Sequence, residues 1–143
     1  NLDEATRVAL DRAQLGKMAD KAIGALSKGY KRRAALAAAI AHDPPVLILD
    51  EPTDDLDPNQ KDGVRALISE MAPKKAILIS THLLDEVDAM CSRAVVIAEG
   101  RIKVDGTPAD VARQFGGSLE SAFRGLTRAM EDPVLSDRPG SRA

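Results

Sequence analysis

Three short apolar runs constrain the fold of this chain most. They are residues 46–49, Ala76–Ser80 and Ala94–Ala98, and they consist almost entirely of aliphatic side chains. Continuous apolarity over so few residues is typical of a strand buried on both faces of a parallel sheet. The stretches between them, residues 59–71 and 83–91, are predicted as helices. The order strand, helix, strand, helix, strand predicts an α/β fold with a mostly parallel sheet and flanking helices.

The remaining segments carry helix and turn signals. Ser is a favoured helix N-cap, and proline disfavours helical geometry in the residue before it. The predictions, in chain order, are a helix at 29–42 capped by Ser27 and stopped by Pro44, a hairpin return at 101–105, a helix begun by Thr107 and Pro108, and a last helix from Ser118 to about Met130.

Composition excludes several classes of protein. The net charge is −2 over 143 residues, so no strongly basic face is expected, and no nucleic-acid partner. No apolar run approaches the ~20 residues that span a bilayer. One cysteine, Cys91, leaves no intrachain disulfide and fits a reducing compartment. The chain begins with Asn1 rather than Met, which predicts that it is a processed or truncated piece.

Polar residues follow two of the predicted strands. Asp50 and Glu51 come directly after the first apolar run, and Thr81 and His82 follow the second. In parallel sheets, functional side chains gather beyond the carboxyl ends of the strands. One carboxylate there can hold Mg²⁺ and the next can activate water, while an imidazole can contact a phosphate. The alternative is a buried strand that simply surfaces in a charged turn, with a surface histidine nearby.

A second candidate site precedes the Ala-rich helix. Ser27, Lys28, Gly29 and Tyr30 place a hydroxyl, a cation and a glycine at the positive end of a helix dipole, where anions bind. A helix with an ordinary serine cap and no ligand is the alternative reading.

Taken together, four motifs resemble the nucleotide-binding domain of the ABC transporters. Leu26 to Tyr30 is similar to the family signature LSGGQ. Residues 46–51 are similar to Walker B with its glutamate, Leu56-Asp57 to the D-loop, and Ser80-Thr81-His82 to the switch histidine. Order and spacing agree over roughly residues 20–106. The signature variant and the segment 117–127 look most like the ABC-2 exporter group.

The resemblance implies a role for each residue. Asp50 would organise Mg²⁺, through water, and Glu51 would be the general base, with His82 at the γ-phosphate. The signature residues Ser27, Lys28, Gly29 and Tyr30 would bind ATP held by an opposite subunit, and Asp57 would link the two sites. The cofactors of the full-length ATPase would be Mg²⁺ and ATP. Its partners would be a second ATPase subunit and transmembrane permease subunits, at the cytoplasmic face of the membrane.

The sequence also departs from the family pattern. Asp54-Asp55 stands where Ser-Gly is usual, Tyr30 replaces a glutamine, and neither a Q-loop nor a G-x-x-x-x-G-K-[ST] P-loop occurs. The P-loop backbone and lysine cradle the phosphates, so this chain alone is predicted to bind no cofactor firmly and to lack ATPase activity. The absent P-loop strand would leave the second and third strands facing a gap. They would pair directly, recruit another chain by strand swapping, or stay poorly ordered; either of the first two is favoured.

The resemblance divides the chain into four parts. Residues 1–45 would belong to the helical subdomain, 46–106 to the ATPase core, 107–131 to C-terminal helices and 132–143 to a disordered tail. The leading functional hypothesis is the C-terminal part of the ATP-hydrolysing subunit of an ABC transporter, of the ABC-2 exporter type, with the fold of the C-terminal part of a P-loop NTPase domain. Two alternatives are a soluble ABC ATPase of translation or DNA maintenance, and a natural half-cassette that acts as a regulatory module.

Overall fold

A computed structural model describes residues 2–128 of the chain, which form two compact units that divide between His82 and Leu83. The first unit contains α1 (Leu2–Arg12), α2 (Lys28–Ile40), β1 (Val46–Asp50), α3 (Pro58–Met71) and β2 (Ala76–Ser80), with short 3-10 turns at Gly16–Met18, Ile23–Ala25 and Ala72–Lys74. The second contains α4 (Leu84–Met90), β3 (Ala94–Ala98), β4 (Arg101–Gly106), α5 (Pro108–Gln114) and α6 (Leu119–Arg128). The predicted α/β class is confirmed.

The first unit is organised around a parallel pair of strands. β1 pairs with β2 so that Val46 lies opposite Ala76 and Asp50 lies opposite Ser80. Leu47 and Leu49 point into the core, whereas Val46 and Ile48 on the other face are 57% and 72% exposed. The prediction that this strand is buried on both faces is therefore wrong for the described residues. One face of β1 packs against the core of this unit, and its other apolar face is exposed to solvent.

The second unit contains an antiparallel hairpin. β3 pairs with β4 with a register shift at Val96/Ile97, as predicted for the return strand. Glu99 and Gly100 both have positive φ, +53° and +68°, the combination that the tight turns of β-hairpins require.

The strands do not form one sheet. Among residues 2–128 they make two separate two-stranded sheets, β1–β2 and β3–β4. Direct pairing of β2 with β3, one of the two favoured outcomes, is not found. The β1–β2 pair is parallel and the β3–β4 pair is antiparallel, so the described residues do not form one mostly parallel sheet.

Four helices begin with the side-chain caps that their sequences provide. Ser27, Asp57, Thr107 and Ser118 each accept a hydrogen bond from the backbone N–H three residues later, at 3.4, 3.0, 3.1 and 3.1 Å. Pro58 and Pro108 take the first helical position, where a missing N–H costs nothing. The caps of α2, α5 and α6 were predicted. The cap of α3, at Asp57, marks the point where the loop 51–57 ends and the helix begins.

Each unit has an aliphatic core. In the first unit the buried apolar side chains come from α1, α2, β1, α3 and the segments next to them: Ala9, Ala13, Leu15, Leu36, Ala37, Ile40, Leu47, Leu49, Leu56, Val64, Leu67, Ile68 and Met71. In the second, a cluster joins β4 to α5 and α6: Val104, Val111, Leu119 and Ala122. No helix among the described residues is long and apolar enough to cross a membrane.

The predicted subdivision at residues 45/46 and 106/107 stays a prediction. The tail at 132–143 lies outside the described residues, and so do the last residues of the helix expected to reach Met130.

An ion pair joins the chain before β1 to the start of β2. Lys75 Nζ lies 2.7 Å from Asp43 Oδ1 and donates to the carbonyl of Pro44 at 2.5 Å. The Lys75 stem and ammonium are almost buried, at 8% exposure, whereas Asp43 is 83% exposed. The hydrogen bond from Lys75, together with its charge, lowers the pKa of Asp43 below the usual value.

We expect Asp57→Ala to lower the free energy of unfolding by about 1 kcal/mol, because the first turn of α3 loses its cap. Urea denaturation followed by circular dichroism measures the change. Asn59→Ala, at an exposed position of the same turn, is the control and should change stability little. Equal stability of Asp57→Ala and the wild type would contradict the capping role.

We expect Lys75→Met to raise the pKa of Asp43 towards that of a free aspartate. Because the folded-state pKa is depressed, the Asp43–Lys75 pair stabilises the fold above the unfolded pKa. That stabilisation disappears as the pH falls through the folded value. Carboxyl-carbon NMR of Asp43 across the acid range measures the pKa. Lys74→Met is the matched control, since Lys74 contributes least to the shift. An Asp43 pKa that is unmoved in Lys75→Met would refute this assignment.

Candidate functional site

The register of β1 on β2 brings the predicted site residues to one edge of the sheet. Asp50 and Ser80 are directly opposite, and the Ser80 hydroxyl donates to Asp50 Oδ1. The backbone N–H of Glu51 donates to the carbonyl of Ser80 at 3.0 Å, so the parallel pairing continues one residue beyond β1. Glu51 and His82 are thereby carried past the strand ends side by side.

Glu51 and His82 are in direct contact. The imidazole Nδ1 of His82 lies 2.7 Å from Glu51 Oε1. With Glu51 ionised, Nδ1 carries the proton and donates it, because a carboxylate is only an acceptor. The second oxygen, Oε2, is buried and has no hydrogen-bond donor among the described residues. One oxygen of the carboxylate is therefore held by the histidine, and the other retains its capacity to accept a proton.

The loop from Glu51 to Asp57 is tightly wound. Asp54 N–H donates to Glu51 O at 3.2 Å and Leu56 N–H to Thr53 O at 3.3 Å. Glu51 and Asp55 have φ of +47° and +59°, the left-handed region that costs a non-glycine residue of order 1 kcal/mol or more. Asp55 is the residue that replaces the usual glycine. The loop keeps the glycine-like conformation, in a residue type that tolerates it better than most.

Buried side chains anchor this loop to the core. Thr53 is 1% exposed and Leu56 is 7% exposed, while the side chains of Asp54 and Asp55 between them are each 38% exposed. Asp57, predicted as the D-loop residue, uses one carboxylate oxygen to cap α3. The loop therefore has fixed ends, at β1 and α3, and one fixed side.

Ser27, Lys28, Gly29 and Tyr30, which resemble the family signature, lie at the N-terminus of α2, as predicted. Ser27 caps the helix, and the guanidinium of Arg33 lies 4.6 Å from the centre of the Tyr30 ring. Gly29 is buried, and a side chain at this position would collide with Gln60 of α3 and press on Leu56. The nearest of these atoms is the flexible end of the Gln60 side chain, so a small side chain at position 29 would displace Gln60 before it separated α2 from α3.

Lys28 is engaged within the chain. Its ammonium lies 2.5 Å from Asp55 Oδ2, although the lysine side chain is 74% exposed. The hydrogen bond from Lys28 lowers the pKa of Asp55, with smaller contributions from the charges of Lys28 and Arg32. An ion pair therefore joins Lys28, at the start of α2, to the loop that begins at Glu51.

Sequence reasoning missed Arg32. Its Nη1 donates to the backbone carbonyl of Glu51 at 2.7 Å, and its Nη2 donates to Asp54 Oδ2 at 3.1 Å. A signal was available in the spacing, because Lys28 and Arg32 are four residues apart and share one face of α2. Two cations on one helix face, with two adjacent aspartates in a nearby loop, indicate such a contact.

The chemistry of these side chains fits a magnesium–nucleotide complex. No group of three or more potential metal ligands comes together among residues 2–128. Mg²⁺ bound with a nucleotide does not require one, since it takes one or two carboxylates and fills its other positions with water and phosphate. Asp50 at the strand tip can provide that carboxylate. The buried, unpaired Oε2 of Glu51 is the kind of acceptor that a reacting water needs.

Comparisons with known proteins identify relatives of this chain. The sequence profile of the ABC transporter family matches residues 1–54. The Nod factor export ATP-binding protein I of Sinorhizobium fredii (strain NBRC 101917 / NGR234) is 40% identical over 135 residues, which are 93% of this chain and 39% of that protein. Its counterpart in Paraburkholderia xenovorans (strain LB400) is 43% identical over 127 residues, 87% of this chain and 42% of that protein.

Solved structures give the same result. The chain matches an ATP-binding subunit of an ABC transporter with a TM-score of 0.77 and 31% identity, over 88% of this chain and 54% of that one. It matches cbiO1 from Clostridium perfringens, part of the ABC transporter complex cbiONQ, with a TM-score of 0.69 and 32% identity, over 91% and 53%.

The chain spans about four tenths of the length of these curated relatives and about half of the two solved structures. It is homologous to the Nod factor export ATP-binding proteins over most of its own length. The chain therefore belongs to the family of ABC transporter ATP-binding domains and corresponds to part of such a domain.

Proposed function

We propose that this chain supplies the hydrolytic carboxylates and the signature of an ATP-hydrolysing ABC subunit. The observation that carries the proposal is the pairing of Glu51 with His82 at 2.7 Å, with the second carboxylate oxygen of Glu51 buried and unpaired among the described residues. A base held in this way can accept a proton without first breaking an internal hydrogen bond.

Each residue has a defined part in this proposal. When bound, magnesium–ATP supplies the phosphoanhydride bond that is cleaved and the cation that balances its charge. Asp50 contributes a carboxylate to hold the cation, through water. Glu51 Oε2 accepts a proton from the attacking water. His82 holds Glu51 Oε1 in place and would contact the γ-phosphate.

The proton on His82 limits what that residue can do. A neutral imidazole that donates from Nδ1 to Glu51 has Nε2 as an acceptor, so it repels a phosphate oxygen. A second proton on Nε2 turns it into a donor for that oxygen and leaves the Nδ1 hydrogen bond intact. A phosphate contact through Nε2 that keeps the Nδ1 hydrogen bond to Glu51 would therefore require the imidazolium form.

The signature would act on a nucleotide held by another subunit. Ser27, Lys28, Gly29 and Tyr30 stand at the N-terminus of α2, where the backbone N–H groups and the helix dipole favour anions. Lys28 would have to exchange Asp55 for phosphate. Asp57 would connect the two sites across the subunit interface, with its α3 cap as the fixed point.

The relatives point to an exporter. Their names describe export ATP-binding proteins, which favours an ABC-2-type exporter subunit over a soluble ABC ATPase or a regulatory half-cassette. The proposed partners are a second ATPase subunit and transmembrane permease subunits. The proposed location is the cytoplasmic face of the membrane.

The open face of the β1–β2 sheet supports self-association of the chain when no other partner is present. Val46, Ile48 and Leu78 are 57%, 72% and 63% exposed on it, and β2 has β1 as its one partner strand among the described residues. An apolar face beside a free strand edge is prone to pair with another chain. A second copy that swaps a strand onto the free edge of β2 would cover both that edge and the apolar face.

The activity is best tested in a chimera, because the P-loop sequence does not occur in the 143 residues. In the chimera, the chain replaces the matching segment of the Sinorhizobium fredii Nod factor export ATP-binding protein I. The retained remainder of that protein is predicted to supply the P-loop. We expect magnesium-dependent ATPase activity that Glu51→Gln lowers about 10²- to 10⁴-fold in kcat. The chain on its own should show none.

Asp62→Asn, on the exposed face of α3, is the control for the chimera and should retain full turnover. Unchanged turnover in Glu51→Gln would show that Glu51 is not the base. Turnover by the 143-residue chain alone would contradict the requirement for a P-loop.

Self-association is tested by light scattering on the purified chain. We expect dimers or larger species for the wild type, and a shift towards monomer in Leu78→Lys, because a charge on the apolar face opposes its burial. Ile23→Lys, at a similarly exposed position outside the sheet, should leave the distribution unchanged. A wild-type chain that is monomeric and unfolds in a single two-state transition would refute the proposal.

A further inference from the structure

Arg32 holds the backbone of the proposed base rather than its side chain. Nη1 donates to the Glu51 carbonyl at 2.7 Å, and Nη2 reaches Asp54 Oδ2 at 3.1 Å and Asp55 Oδ2 at 3.5 Å. The side chain is 30% exposed, so it lies against the loop rather than extending into solvent. One guanidinium thus spans the first residue of the loop and its two aspartates.

The Glu51 backbone needs such a contact. Its φ of +47° lies in the left-handed region, and the following Pro52 further restricts the conformations open to it. The Glu51 carbonyl accepts a second hydrogen bond, from Asp54 N–H at 3.2 Å. The carbonyl and the side chain of Glu51 both turn about its N–Cα bond, so a change of φ would break both hydrogen bonds and move the carboxylate away from His82.

The two aspartates serve the same contact. Adjacent carboxylates repel each other, and here each faces a cation of α2, with Asp54 against Arg32 and Asp55 against both Arg32 and Lys28. A planar guanidinium can donate to a carbonyl and a carboxylate at once through different nitrogens, which an ammonium does less well. The residues that depart from the family's usual Ser-Gly are therefore the ones that orient Arg32.

We propose that Arg32, held by Asp54 and Asp55, is a positioning residue for Glu51 that fixes the left-handed turn and so keeps the Glu51 carboxylate against His82. The functional importance of Arg32 rests on the proposed role of Glu51 as base. The contact of Arg32 with the Glu51 backbone does not depend on that role, and it can be tested in the chain without any nucleotide.

The first experiment is NMR of the 143-residue chain with ¹⁵N-labelled histidine. In the wild type we expect the ¹⁵N shifts of His82, read through its non-exchangeable ring protons, to show that Nδ1 carries the proton, the sign of its bond to Glu51. Arg32→Ala should lose this signal and broaden the amide signals of Thr53 to Leu56. Arg32→Lys should retain part of it. Arg12→Ala is the matched control, because Arg12 is equally exposed, at 29%, and binds the Glu70 carboxylate at 3.1 Å.

Asp54→Asn keeps the proposal testable if Arg32→Ala does not fold. It leaves the Arg32 bond to the Glu51 carbonyl possible but removes a charge that orients the guanidinium, so the His82 signal should weaken. A His82 signal that is unchanged in Arg32→Ala, or in Asp54→Asn when Arg32→Ala does not fold, overturns the proposal. Absence of the His82 signal from the folded wild-type chain also overturns the proposal.

The second experiment uses the chimera and separates the two proposals. Arg32→Ala should lower kcat about 10- to 100-fold with little change in KM, because the base is displaced while nucleotide binding is retained. Arg32→Lys should recover part of the loss. If Glu51→Gln leaves turnover intact, the proposed function fails, and the NMR result still decides whether Arg32 positions Glu51. If Glu51→Gln abolishes turnover but Arg32→Ala does not lower kcat, the positioning role fails alone.

Discussion

The parallel pairing of β1 with β2 is the interaction on which the proposed site depends. Two strands in parallel end at the same edge, and the register that places Asp50 opposite Ser80 also places Glu51 and His82 beyond that edge together. The hydrogen bond from Glu51 N–H to Ser80 O carries the pairing to the last residue before the chain turns. A shift of one residue would turn Asp50 to the core face and separate Glu51 from His82.

The loop after β1 converts that alignment into a fixed geometry. Its path is set by buried Thr53 and Leu56, by the cap of α3 at Asp57, and by the cations of α2. The two left-handed residues cost free energy that these contacts must offset. Exposed ion pairs contribute little each, so Lys28–Asp55 alone would not do this. Arg32 differs because one guanidinium combines a backbone hydrogen bond with a carboxylate contact, and because it is mostly shielded from water.

Much of this arrangement follows from local sequence. The apolar runs predicted three strands, and β2 and β3 begin and end where they were expected; Ser27, Thr107 and Ser118 predicted caps that are present. The neighbourhood of Glu51 and His82 followed from the rule that parallel strands end at one edge. The contact of Arg32 with Glu51 did not, because it depends on how α2 packs against a loop that has two left-handed residues. The residue types Glu51 and Asp55 do not by themselves indicate those backbone angles.

In β1 the apolar composition of the strand does not match the exposure of its residues. Its four apolar residues predicted burial on two faces, and the described residues bury only Leu47 and Leu49. Apolar surface in water costs roughly 25 cal/mol for each Å², so the face of Val46 and Ile48 favours any partner that covers it. The composition of β1 therefore fits the middle of a layered sheet better than the two-stranded sheet that the described residues form.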